Sequence, residues 1–391
     1  MKRRSFIRVV GGGVIVAATI GGVVYSGCTQ SMPAGAIAAW KGPGPQDDIR
    51  RWLVGYAILA PHSHNLQSWL VDLSIPNEIG LSCDLTRVLP QADPYGRQIM
   101  MSHGTFLELL DIAARECGLR ADITLFPEGA FSRTKLDQRP IAQIRLSVDS
   151  SVSKDPLFAQ IVFRLTNRAA YDALRSVPVD VLQAMTESVQ AYPVQFGFIG
   201  RDQPETLRLH REIANEAWAI ELTTPRVIME TYNVLRVGAA EIDQHRDGLY
   251  VLDRIPILMN QVGLFDRSKP PAPNDYATTS QIASFASNIN TTPNFLWLTS
   301  ASNDRVTQVN AGRAYMRLQL AATAAGISLQ PLSQALQEYP EQASTYAKIH
   351  RLLDAAQTHR TVQMWVRAGY APQIGPAPRR GVEAQLLSAS A

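Results

Sequence analysis

The densest run of polar side chains in this 391-residue sequence is Ala60-Pro61-His62-Ser63-His64-Asn65-Leu66-Gln67-Ser68-Trp69. Hydroxyl, amide and imidazole groups stand side by side in it, and an aromatic ring closes it. Alternating donors and acceptors of this kind suit the edge of a planar heterocycle, and loops between rigid elements are where folds display ligand-binding groups. His62 and His64 also invite a metal reading, but two histidines two apart, with no acidic or cysteine partner, make a weak site. A second run, Phe163-Arg164-Leu165-Thr166-Asn167-Arg168, sets two arginines around a hydroxyl. At that spacing they can fork onto one phosphate through charge-assisted hydrogen bonds. A third basic pair, Arg379-Arg380, follows Pro378; taken alone it reads as a solvated tail. The usual nucleotide signals are missing, with no Walker-type loop and no Gly-x-Gly-x-x-Gly after a strand.

The elements that must position these runs come in two sets. Residues 104–119 and 312–327 align without gaps at an offset of 208. Each begins on a glycine (Gly104, Gly312), carries an Ala-Ala pair (Ala113-Ala114, Ala321-Ala322) and ends near a second glycine (Gly118, Gly326). That pattern predicts a helix with small residues on its packing face and a glycine cap. Extended segments are expected after each, over 121–126 and 328–332. Upstream, a helix over 47–60 precedes a strand over 68–75. In the second set a helix over 180–190, N-capped by Asp180, precedes a strand over 194–199. Matching order of four elements reads as an internally duplicated α+β fold. The first half spans 42–155 and the second 156–391, with an insertion at about 201–290. The insertion holds a mostly helical stretch over 203–240 and a proline-rich run over 268–275, expected as a surface excursion that rims or covers the site.

Composition sets the outer bounds. With 46% apolar and 18% charged residues the chain can bury a core, which excludes a disordered protein. A net charge of +3 offers no basic face for a nucleic acid. Three cysteines are too few for a disulfide scaffold; Cys83 and Cys117 read as buried free thiols or as one bridge. The N-terminus is basic and residues 9–27 carry no charge, the pattern of a secretory signal or, alternatively, of a membrane anchor. Arg3-Arg4-Ser5-Phe6-Ile7-Arg8 resembles the twin-arginine export motif. Ser26-Gly27-Cys28 looks like a lipoprotein processing site, and Ala34-Gly35-Ala36 offers another cleavage point, so residues 1–36 are set apart as signal or anchor. The expected location is the periplasm or cell envelope, with the twin-arginine machinery as a partner.

The loop over 60–69 resembles the Ala-Pro-Ser-x-x-Asn-x-Gln-Pro-Trp loop of the nitroreductase family of flavin proteins, departing from it at His62 and Ser68. Arg164-Leu165-Thr166-Asn167-Arg168 looks like that family's Arg-Arg-Ser-x-Arg phosphate motif. Gly326-Ile-Ser-Leu-Gln-Pro331-Leu-Ser-Gln334 is similar to its Gly-Leu-x-x-x-Pro stretch. The resemblance implies FMN as cofactor and a small-molecule redox substrate. It implies Arg164, Thr166, Arg168, Arg379 and Arg380 at the phosphate. Pro61, His62, Ser63, Asn65 and Gln67 would reach the flavin from the other half, with Pro331, Leu332 and Ser333 near its redox face. Ordinary members are homodimers that build each flavin site from two subunits. Here one half carries the loop and the other the phosphate motif, so the resemblance implies a monomeric pseudo-dimer with one flavin. The pattern looks like the fused, lidded Acg-like branch, a resemblance that also raises the alternative of a flavin-storing protein without NAD(P)H turnover.

Overall fold

A computed structural model describes residues 29–387. The twin-arginine motif, the uncharged stretch and Cys28 lie outside the described residues. In the first half, α1 (Ile49–Ala57) is capped by Asp48, whose carboxylate accepts from the Arg50 backbone N–H at 2.9 Å. Then follow β1 (Trp69–Asp72), β2 (Glu78–Cys83), α2 (Arg97–Glu116), β3 (Leu119–Leu125) and β4 (Ala142–Val148). The four strands form one antiparallel sheet in the order β1-β2-β4-β3. In the second half, α3 (Val179–Ser188) leads to β5 (Gln195–Ile199). The inserted elements are α4 (Pro204–Thr223), α5 (Pro225–Asn233), β6 (Leu235–Val237), α6 (Gly238–His245), β7 (Leu249–Val251), α7 (Arg254–Gln261) and α8 (Tyr276–Asn290). The chain then resumes with β8 (Asn294–Ser300), α9 (Arg305–Ala324), β9 (Ser328–Pro331), α10 (Ala343–Leu352) and β10 (Thr361–Gly369). The second sheet runs β5-β8-β10-β9, the same order position by position. The expected α+β duplication is therefore what the chain folds into, the two sheets differing in what joins their first two strands.

The joint between the halves is reciprocal. A Cβ on Gly104 of α2 would stand 2.0 Å from the Val309 carbonyl oxygen of α9, and one on Gly312 would stand 2.0 Å from that of Met101. Gly104 matches Gly312, and Met101 matches Val309, at the same offset of 208, which is what a twofold relation requires. Only glycine lets the two backbones approach this closely. Two buried arginines at the helix starts repeat the relation. Arg97 donates to the carbonyls of Leu336 and Gln363 in the second half, at 2.9 and 2.8 Å. Its counterpart Arg305 donates to those of Ser132 and Arg133 in the first, at 3.0 and 3.2 Å. Val309, Met316 and Leu320 of α9 are buried in the first half's core, so the first half does not close its core alone.

Several local expectations change. Asp180 lies in the first turn of α3, where an acid suits the helix dipole, and Pro178 takes the N-cap position. Cys83 and Cys117 are both free, and Cys117 is exposed at the end of α2 rather than buried. Residues 34–41 form a 3-10 turn that belongs to the fold. Ala36 is buried and its carbonyl accepts the Arg379 backbone N–H at 2.8 Å, so a cut after Ala36 would remove a built element.

Candidate functional site

The loop over 61–68 leaves the end of the first helix under backbone strain. His64, Asn65 and Gln67 sit at φ values of 47°, 56° and 55°, a region that side chains other than Asn rarely adopt and that clusters at functional sites. Other contacts hold the loop there. Ser63 N–H donates to Ser102 Oγ at 3.2 Å, and Thr105 Oγ1 to the Pro61 carbonyl at 2.9 Å. Asn65 Nδ2 donates to the carbonyls of Gly248 and Pro378, at 3.3 and 3.1 Å. The two histidines face different neighbours. His62 Nε2 accepts from Ser68 N–H at 3.2 Å and pairs with Ser68 Oγ at 2.7 Å, which places its proton on Nδ1 beside the Ser63 carbonyl. Burial drives His62 down to about 3. His64 Nε2 lies 3.2 Å from Thr231 Oγ1 of the insertion, and burial pulls it to about 4. Both are neutral imidazoles that fasten the loop.

Two abutting cavities, of about 210 and 250 Å³, share Pro61, His62, Thr166, Arg168 and Leu249 as common walls. Together they fall within the usual ~300–1,000 Å³ of ligand pockets. The second is the cationic one, lined by Trp40, Arg164, Arg168, Tyr250 and Arg379. Arg164 donates to Gln319 Oε1 at 3.2 Å and to the Leu59 carbonyl at 3.1 Å, leaving its Nε unpartnered. Burial takes it to about 10. Arg379 donates to Asn65 Oδ1 and to the Ala60 carbonyl, and its Nε is unpartnered too. Burial first, then the charge of Arg164, holds its pKa well below the usual value. The Arg168 guanidinium has no hydrogen bond or ion pair among the described residues. It is open to the cavity yet ringed by Tyr171, Tyr250 and Tyr315, and the surrounding protein lowers its pKa. Trp40 lies under both Arg164 and Arg379, at 5.4 and 5.1 Å from ring centre to guanidinium.

The first cavity is the less cationic. Ser63, His64, Ser102, Pro331 and Ser333 line one side. Trp218, Glu221, Leu222, Thr231, Tyr232 and Phe285 of the insertion cover the other. Trp218 and Phe285 stack at 4.7 Å.

Of the sequence-derived candidates, Pro61, His62, Ser63, Asn65, Arg164, Thr166, Arg168, Pro331, Ser333 and Arg379 meet around these cavities. Three do not. Leu332 is buried in the second half's core, because alternate residues of an extended segment point opposite ways and its neighbours take the cavity side. Gln67 is fully buried and spans to the Arg246 carbonyl and the Arg380 N–H, at 2.9 Å each. Arg380 turns away to Gln67 and Gln385. The proline-rich run also lines neither cavity; the cover comes from 218–235, 248–250 and α8. Sequence reading missed Trp40, Tyr250 and Glu221. For Glu221 a signal existed, since it continues the stripe of buried positions Leu207, His210, Ala214 and Ala217 on α4, where an acid is out of place.

No protein-family model and no curated protein matches the sequence. Among solved structures the chain is similar to a nitroreductase with bound FMN from Bacteroides fragilis, at 15% identity and TM-score 0.32, covering 58% of this chain and 97% of that one. It is similar to the FMN-dependent nitroreductase NfnB of Mycobacterium smegmatis in complex with NADPH, at 20% identity and TM-score 0.33, covering 55% and 92%. A candidate nitroreductase from Anabaena variabilis covers 90% of this chain and 95% of its own, at 10% identity and TM-score 0.45. Scores this low leave the function of the site to the chain's own residues.

Proposed function

We propose that this protein is an FMN-binding oxidoreductase of the nitroreductase type, holding one flavin between its two halves. One observation carries the reading. Arg164, Arg168 and Arg379 converge on a single cavity and none has a carboxylate partner among the described residues. Arg164 and Arg379 are buried and Arg168 is exposed to the cavity; uncompensated buried cations are costly, and a phosphate group offsets that cost through charge-assisted hydrogen bonds. The residues fit FMN in this respect: unpartnered Nε–H groups on Arg164 and Arg379, with Thr166 beside them, suit the phosphate. The less cationic cavity, with its hydroxyls and amides on one wall and aromatics on the other, suits a planar ring. When bound, the flavin supplies hydride or single-electron transfer. The chain's own part is positional. The strained loop presents Ser63, His62 keeps that loop in register through Ser68, and the inserted cover keeps water from the ring end. We further propose that the basic, twin-arginine-like N-terminal segment directs export.

A cover fastened to the loop by His64 and Thr231 also favours a second reading, a flavin-storing protein that NAD(P)H cannot reach. The test begins with the purified protein. It is expected to be yellow, and Arg164→Ala is expected to weaken FMN binding by about 2–3 kcal/mol. A full flavin complement in that variant would overturn the phosphate assignment. Anaerobic mixing with NADPH then separates the two readings: bleaching means turnover, and dithionite-only reduction means storage.

A further inference from the structure

Glu221 stands on α4, within the insertion that only the second half carries, and forms part of the cavity wall. Its carboxyl is buried, the residue being 4% exposed. Oε2 accepts from Gln337 Nε2 at 2.8 Å, and no Lys, Arg or His among the described residues pairs with it. The neighbouring elements offer amides and rings: Gln334 and Gln337 after Ser333, Gln281 and Phe285 from α8, Trp218 one turn back and Tyr339. Arg97 and Arg168 line the same cavity, and the charge that acts on Glu221 is Glu230 on α5, itself occupied by the backbone N–H groups of Gln91 and Ala92 at 3.0 and 2.9 Å. A carboxylate in such surroundings lacks both water and a counter-ion, so the neutral acid is favoured. Burial raises Glu221 to about 7 against the pull of the two glutamine amides, with Glu230 adding to the rise. An acid that titrates near neutrality can both give and regain a proton under working conditions.

We propose that Glu221 is a proton donor to the molecule reduced in this cavity, a role that rests on the redox reading above. The Glu221 O–H bond breaks and the proton passes to an oxygen or nitrogen of a two-electron acceptor. The adjoining atom of that acceptor takes a hydride, and its electron pair, from a reduced flavin. The acceptor so gains a hydride and a proton, the flavin is oxidised, and the carboxylate left on Glu221 recovers its proton from water. The other titratable side chain of the cover along this cavity is Tyr232, which burial holds at about 12, and the loop histidines are engaged by Ser68 and Thr231.

Two measurements test this. Infrared spectra of the isolated protein are expected to show a protonated-carboxyl band at pH 6 that fades by pH 8.5 and is absent in Glu221→Gln. That readout needs no flavin turnover. In stopped-flow reoxidation by a neutral quinone, Glu221→Gln is expected to slow the reaction about a hundredfold, the scale of general acid catalysis. Flavin content should not change, and the wild-type fall in rate above pH 7 should flatten; Glu221→Asp should restore part of the rate with its pH dependence. Unchanged reoxidation in Glu221→Gln, or a wild-type spectrum without the band, would overturn the proposal. A protein that holds no flavin would overturn the functional reading and the donor role with it, while the band would still decide whether the carboxyl is neutral.

Discussion

The two sides of the α2–α9 joint treat charge in opposite ways. On the cavity side Arg164, Arg168 and Arg379 face one another with no acid among them. On the other side every charge is matched. Glu108, 1% exposed, accepts from Arg313 Nε at 2.8 Å, from Arg317 Nη1 at 3.0 Å and from the Tyr192 hydroxyl. Asp155 takes Arg317 at 2.8 Å and Asp111 takes Arg313 at 3.2 Å. These carboxylates outweigh burial and hold Arg317 above its ordinary pKa. The positions correspond: Thr105 lines the cavity, and Arg313 is its counterpart at the 208-residue offset. Where the first half presents its strained polar loop, the second has only the short turn that carries Tyr192. One backbone plan has yielded an open site and a closed one, and the difference lies in whether the arginines bring their own anions.

That contrast predicts opposite responses to charge removal. Glu108→Ala should cost about 3–5 kcal/mol, the scale for breaking one member of a buried ionic cluster, because two arginines and a tyrosine lose their acceptor. Denaturant melts of flavin-free protein measure it directly, and a loss below about 1 kcal/mol would show the cluster to be ornamental. Arg164→Met on the open side should do the reverse in the same flavin-free protein. With an uncompensated cation gone, stability should hold or rise by about 1 kcal/mol. A clear loss would mean that Arg164 serves the fold through the Leu59 carbonyl and Gln319 rather than waiting for an anion.

Much of this was readable in the sequence because it was local or repeated. The 208-residue offset located both central helices, and α2 and α9 begin and end in register with it. The polar loop stood out through its composition, and the Arg164–Arg168 pair through its spacing. Choosing between Arg379 and Arg380 needed the fold, since adjacent residues of an extended segment face opposite ways and nothing local says which way is inward. Trp40 joins the site from far upstream through its indole N–H bond to the Ala377 carbonyl at 2.8 Å. The cover was legible as an insertion that rims or covers the site, but which of its segments does so was not. Its proline-rich run drew attention through composition, while the lining residues sit on α4 and α5 among ordinary apolar helix positions.

The smallest effect expected sets the loop against the cover through pH. His62, His64 and His103 are held at about 3, 4 and 4 in the fold, burial being the main cause in each. Unfolded, they titrate near 6.5. Their folded pKa values lie below the unfolded one, so the stability they contribute is present above 6.5 and is lost as pH falls toward 4. At pH 6 the loss is about 0.8 kcal/mol for each. Glu221 runs the other way. Its folded pKa of about 7 exceeds the unfolded one, so its contribution is full below about 4.5 and fades as pH rises through 7. Between pH 7.5 and 6 the two terms oppose each other, but Glu221 offsets only about 1.2 kcal/mol of the histidine loss, so the wild-type melting temperature should fall. Glu221→Gln removes one of them, so that variant should lose stability on acidification more steeply than the parent, and adding His103→Gln should take back about two-thirds of the added slope. Melting curves of the three proteins at the two pH values decide it. Parallel slopes in parent and Glu221→Gln would mean that the acid on the cover is ionised in the folded protein.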